Sequence, residues 1–230
     1  MELSKKQKII SIILKLVIII SAVVGTIMSA VASIEAFMGG ETVFMYFTIQ
    51  SNILIALVSL IGLFIILLNK KVNHVWNIIK FVSTISISLT GLVFSFVLAP
   101  TMGIEAWSFP NILTHVIVPI SAIVDFFIVC SIVKYKKIEV MYVVIPPLLY
   151  AIYASIGYVL NWQFSKNTNY PYFFLNWGSE AGAIGFSSKL PFIGVIWWIL
   201  LLLLLLIGLG FLYLKIIELI KRKSNKNNIE

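Results

Sequence analysis

The chain has 230 residues, 60% hydrophobic and 11% charged, with a net charge of +8 and a single cysteine, Cys130. Soluble domains carry about 45–50% apolar and about 25% charged residues, so a water-soluble enzyme and a disordered chain are both excluded. One cysteine forms no internal disulfide, which excludes a secreted disulfide scaffold.

Six apolar stretches, 9–33, 43–68, 75–99, 113–133, 140–160 and 191–214, are long enough to cross a bilayer as helices. Period-2 alternation, the mark of a membrane barrel, is absent. The first stretch follows Lys5, Lys6 and Lys8 and contains Lys15. Its Ala30-Val31-Ala32 resembles a signal-peptide cleavage site, but a run of about 23 apolar residues exceeds the ~7–15 of a signal peptide, so an uncleaved span is expected. The second stretch enters with Tyr46-Phe47-Thr48-Ile49-Gln50-Ser51-Asn52. Thr48, Ser51 and Asn52 share one helix face, which Ser59 continues. The third holds Ser83, Thr84, Ser86, Ser88, Thr90 and Ser95; small hydroxyl residues let membrane helices approach closely, with a polar path as the alternative reading.

The fourth stretch opens with Asn111, Thr114 and His115 and carries Asp125 ten residues after the histidine. In the fifth, Pro146-Pro147 predicts a kink that widens a pocket, beside Tyr142, Tyr150 and Tyr153. The connection 161–190 is rich in Trp, Tyr and Phe, which fits an interfacial segment or a cover over the polar residues. The sixth stretch runs into a basic tail, 215–230.

Fifteen of the 17 basic residues fall at the N-terminus, in the second and fourth connections and in the tail. The other connections hold only Lys166 and Lys189. The positive-inside rule then predicts cytoplasmic N- and C-termini, and the charge is an orientation signal that implies no nucleic acid. The expected fold class is all-α: a polytopic membrane protein, a bundle of six transmembrane helices forming one domain over residues 1–230. Abundant Lys, Ile and Asn point to an AT-rich bacterial genome, so the expected location is the plasma membrane, here a bacterial inner membrane.

Soluble-enzyme motifs such as G-x-S-x-G, the P-loop and H-E-x-x-H are missing. Ser131-Ile132-Val133-Lys134 fits S-x-x-K without its companion motifs. His74 and His115 fall on opposite sides of the membrane in this topology, so no metal site is expected and no cofactor is implied. Thr48 and His115 each lie within about two turns of the same boundary, which allows contact between a hydroxyl nucleophile and a histidine base. Asp125 lies about 15 Å of helix rise from His115, too far for a direct hydrogen bond. An ion pair with Lys15 or Lys80 is its expected role, and a proton or ion relay is the alternative.

Tyr46 to Asn52, His115-Val116-Ile117-Val118-Pro119 with Asp125, and Tyr170-Pro171-Tyr172-Phe173-Phe174-Leu175 together resemble motifs of the androgen-induced protein superfamily, in particular its bacterial six-pass branch. The third motif departs from the family pattern at Phe173 and Asn176, where relatives often carry Pro and Asp. Eukaryotic members are multipass threonine hydrolases of fatty acid esters of hydroxy fatty acids, and their Thr and His match Thr48 and His115. The resemblance implies an intramembrane lipid-ester hydrolase acting on a lipid or other apolar ester. In it Thr48 attacks, His115 accepts the proton, and Ser51, Asn52, Asn111 and Tyr172 support them. The alternative is a non-enzymatic transporter or binding protein centred on Asp125.

Overall fold

Hydrocarbon offers no partner for backbone N–H and C=O groups, so an apolar chain of this kind resolves into helices that satisfy themselves. The computed structural model describes residues 3–32, 39–130 and 133–226. Within them are six helices long and apolar enough to cross a membrane: α1 (Lys5–Val31), α2 (Phe47–Leu67), α3 (His74–Trp107), α4 (Phe109–Val129), α5 (Lys137–Val159) and α6 (Val195–Lys223). The chain is therefore an all-helical, multipass membrane protein, with no strand among the described residues. Glu2, Ser33, Glu35, Ser131 and residues 227–230 lie outside the described residues.

The helix ends follow from local chemistry. Ser4 and Gln7 form a reciprocal capping box that starts α1 four residues before the expected apolar boundary. Asn73 caps α3 by accepting from the Trp76 amide at 2.8 Å. A 3₁₀ turn, Gly40–Met45, precedes α2 and delays its start to Phe47. α3 continues beyond residue 99, passing through a π turn at Phe94–Leu98 and short helical turns to Trp107. α4 contains a second π turn, Leu113–Ile117.

The prolines of α5 do not kink a continuous helix. Residues Lys137–Val144 are 3₁₀, the α-helical part begins at Ile145, and Pro146 and Pro147 occupy its first turn, where a missing N–H removes no helical bond. Tyr142 is exposed and Tyr150 buried.

α1 packs on α2 and α4, α3 packs on α2 and α4, and α6 packs on α3 and the first turns of α5. The buried positions of α1 include Ser11, Lys15, Ser21, Thr26 and Ser29, whereas Ile13, Ile20 and Ile27 are exposed. This arrangement puts small and polar groups between helices and apolar ones toward lipid. Two aromatic clusters fill the interior. One, with Tyr46, Phe94, Tyr150, Phe164, Tyr172 and Phe174, lies at the Thr48 end. The other, with Phe81, Phe126, Leu206 and Tyr213, lies toward the opposite end. The connection between α5 and α6 folds against the first cluster: Phe164, Tyr172, Phe174 and Leu175 are buried, and the Tyr46 hydroxyl donates to the Phe164 carbonyl at 3.1 Å.

Candidate functional site

At the Thr48 end, α2, α3 and α4 meet through hydroxyls and amides. Asn52 donates from Nδ2 to its own helix at the Thr48 carbonyl (2.8 Å) and across to the Thr114 carbonyl (3.1 Å). Ser51 Oγ contacts the Thr48 carbonyl at 2.9 Å and Thr90 Oγ1 at 2.8 Å. Gly91 permits the close approach of α3 to α4, since a Cβ there would stand 3.0 Å from the His115 carbonyl oxygen and 3.2 Å from Pro119. A glycine inside a helix costs about 1 kcal/mol relative to alanine, so its presence at such a crossing marks a packing need.

His115 sits in the α4 π turn and is 3% exposed. Its Nδ1 lies 3.0 Å from both the Asn111 carbonyl and Thr114 Oγ1, and Thr114 in turn donates to the Pro110 carbonyl at 2.9 Å. A carbonyl only accepts, so this network assigns the proton to Nδ1 and leaves Nε2 as the basic nitrogen. The imidazole stacks on Phe94, with ring centroids 3.8 Å apart and planes at 23°. Phe94 opens the π turn of α3, so two π turns face each other through this stack. Such turns add a residue to the helical repeat and recur at functional positions.

Thr48 is 4% exposed and lies at the wall of a narrow cavity of about 70 Å³ between α2, α3, α5, α6 and the loop before α6. The lining is nearly all apolar, with Leu89, Phe94, Phe174 and Leu202 among it, and the hydroxyl residues Thr48, Thr90, Tyr150 and Tyr172 interrupt it. Tyr172 places its phenol oxygen 3.4 Å from Thr48 Oγ1 and accepts from the Thr48 amide at 3.3 Å. Burial pushes the Tyr172 phenol above its ordinary range, so it remains protonated and able to donate.

The structure thus brings Thr48, Ser51, Asn52, Thr114 and His115 to one depth, and adds Tyr172 from a loop far away in sequence. No hydrogen bond joins Thr48 to His115 among the described residues, and the histidine stands behind Phe94, outside the cavity lining. Ser51 and Asn52 have their donors engaged, and Asn111 donates to the Ala106 carbonyl at 2.9 Å while its own carbonyl orients His115. Sequence reasoning missed Phe94 and Thr90 as partners. Gly91 was the one available signal for the crossing they occupy.

Asp125 belongs to a separate cluster near the other end of the bundle. Lys15 Nζ donates to both carboxylate oxygens at 2.7 Å, Lys80 Nζ reaches Oδ2 at 2.5 Å, and Ser11 donates to Oδ1 while accepting from Lys15 at 2.7 Å. All four residues are buried. The two lysines suggested as alternative partners of Asp125 both bind it. Gly62 lies beside the Lys15 stem, where a Cβ would stand 2.8 Å from Cε. His74 pairs with Glu139 at 2.7 Å, at the far end of α3 from the Phe94–His115 stack. No group of three His, Cys, Asp or Glu side chains is placed to hold a metal ion among the described residues. No family model, curated protein or solved structure matches the chain.

Proposed function

We propose that the protein is an intramembrane hydrolase of lipid or other apolar esters, with Thr48 as nucleophile and His115 as general base. The observation that carries this reading is the Thr48 hydroxyl, a polar group in hydrogen-bond reach of Tyr172 on the wall of an otherwise apolar cavity. An acyl chain suits such a lining, and its carbonyl would meet Thr48. The resemblance to the androgen-induced protein superfamily supports the same pair of residues.

In the acylation step, Thr48 Oγ forms a bond to the carbonyl carbon and its proton passes to His115 Nε2. The tetrahedral oxyanion accepts a hydrogen bond from Tyr172, whose phenol burial keeps neutral. Collapse breaks the bond to the alcohol, which leaves with the proton from His115, and water then cleaves the acyl-threonine by the reverse use of the same groups. Thr48 and His115 must close on each other for this transfer, a tightening that often accompanies substrate binding. By the distribution of basic residues, the site faces the outer leaflet of a bacterial plasma membrane with both termini cytoplasmic.

Covalent labelling of the detergent-solubilised protein by a fluorophosphonate probe tests the proposal. Labelling is expected, with loss in both Thr48→Ala and His115→Ala while each variant keeps a cooperative thermal transition that shows it is folded. No labelling of well-folded wild type would overturn it and leave the cavity as a non-catalytic binding site.

A further inference from the structure

The cluster around Asp125 has one carboxylate and two ammonium groups, so it carries a formal charge of +1 inside the bundle. That excess faces a cleft of about 520 Å³ between the N-terminal part of α1, the α2–α3 connection and the first turns of α3. Five lysines line the cleft: Lys15 and Lys80 at its depth, and Lys8, Lys70 and Lys71 near the chain end and the connection. No carboxylate lines it among the described residues, since Asp125 stands behind the two deep lysines. Lys8 is held at the wall by donating to Asn69 Oδ1 at 2.9 Å. Ile65, Ile66, Val129 and Val133 provide an apolar side.

We infer that this cleft binds a phosphate-bearing anion, held by the lysines at its mouth and drawn inward by the excess charge of the Lys15–Asp125–Lys80 cluster. Three lysines at the mouth, backed by two that are ion-paired to Asp125 with one positive charge in excess, match a multiply acceptor-rich anion better than a neutral ligand. Basic pockets between membrane helices are suited to anionic headgroups, and the apolar side would receive the attached chain. A free phosphate ester offers the same anionic group without the chain. This site is distinct from the Thr48 cavity, and its occupation does not depend on the hydrolase reading.

The test uses the full chain in detergent, with native mass spectrometry against phosphatidylglycerol, phosphatidylcholine and glycerol 3-phosphate. Phosphatidylglycerol is expected to bind more tightly than phosphatidylcholine, and K70Q/K71Q to weaken it roughly tenfold or more. K5Q/K6Q, which removes two exposed lysines outside the cleft lining, is expected to leave binding unchanged. If glycerol 3-phosphate binds and depends on Lys70 and Lys71, the anion comes from the aqueous side; if only the lipid binds, it comes from the bilayer. Equal binding of the two lipids with no binding of glycerol 3-phosphate would overturn the inference. So would an equal loss in both double variants.

Discussion

The two ends of the bundle bury polar groups by different means. At the Thr48 end the groups are neutral, and Ser51, Thr114 and the Asn52 amide nitrogen donate to a carbonyl about one turn back or meet a hydroxyl on the next helix, while Asn52 Oδ1 is buried without a partner among the described residues. At the lysine end a carboxylate is buried, and it is held by two ammonium groups and a hydroxyl. A neutral group needs one hydrogen bond to be tolerated in an apolar interior, whereas a charge needs an opposite charge and a full set of bonds. The neutral end can therefore leave Thr48 and Tyr172 on a cavity wall, but the charged end has no such freedom at Asp125.

The largest expected effect comes from breaking the charged end. Asp125→Ala leaves two lysines buried against each other and should destabilise the protein by about 3–5 kcal/mol, read as a large fall in the detergent thermal midpoint. A midpoint unchanged from wild type would show that the lysines escape to water and that the two ends do not differ in this way. Gly91→Val should cost about 1–3 kcal/mol by overpacking α3 against the His115 carbonyl and Pro119, also read as a midpoint shift. Tyr172→Phe removes one neutral partner of Thr48 and should cost only about 1 kcal/mol while lowering fluorophosphonate labelling. A loss of stability equal to that of Asp125→Ala would erase the contrast between neutral and charged burial. Smallest of all is Glu180→Gln in the loop before α6. The exposed Lys189 ammonium beside Glu180 holds its carboxyl below the usual range. That pairing contributes above the ordinary Glu range and is lost as the pH falls through the lowered value. Because both groups are in solvent, no midpoint change is expected at pH 7.

Much of this contrast was legible before the fold. Counting along the helices placed Thr48 near the depth of His115, and Asp125 about 15 Å of rise away from that histidine, because rise per residue is fixed. Azimuth was not legible at the same level. Whether Lys15 or Lys80 turns toward Asp125 depends on how α1, α3 and α4 pack, and the fold turns both. The two π turns shift the facing of everything beyond them, which is how His115 comes to stack on Phe94. The expected proline kink failed for a related reason. A double proline can end a 3₁₀ segment and begin an α-helix as readily as it bends a continuous one.

By itself, the sequence determined the number and placement of the long apolar helices, since hydrocarbon thickness and backbone satisfaction leave one solution for such a composition. It also determined which few polar residues lie at each depth. Only the tertiary structure decided which of them touch. Tyr172 reaches Thr48 from 124 positions away, and Lys15 reaches Asp125 across 110. Contacts at that separation are set by helix rotation and by side chains as small as Gly62 and Gly91, which no local pattern encodes.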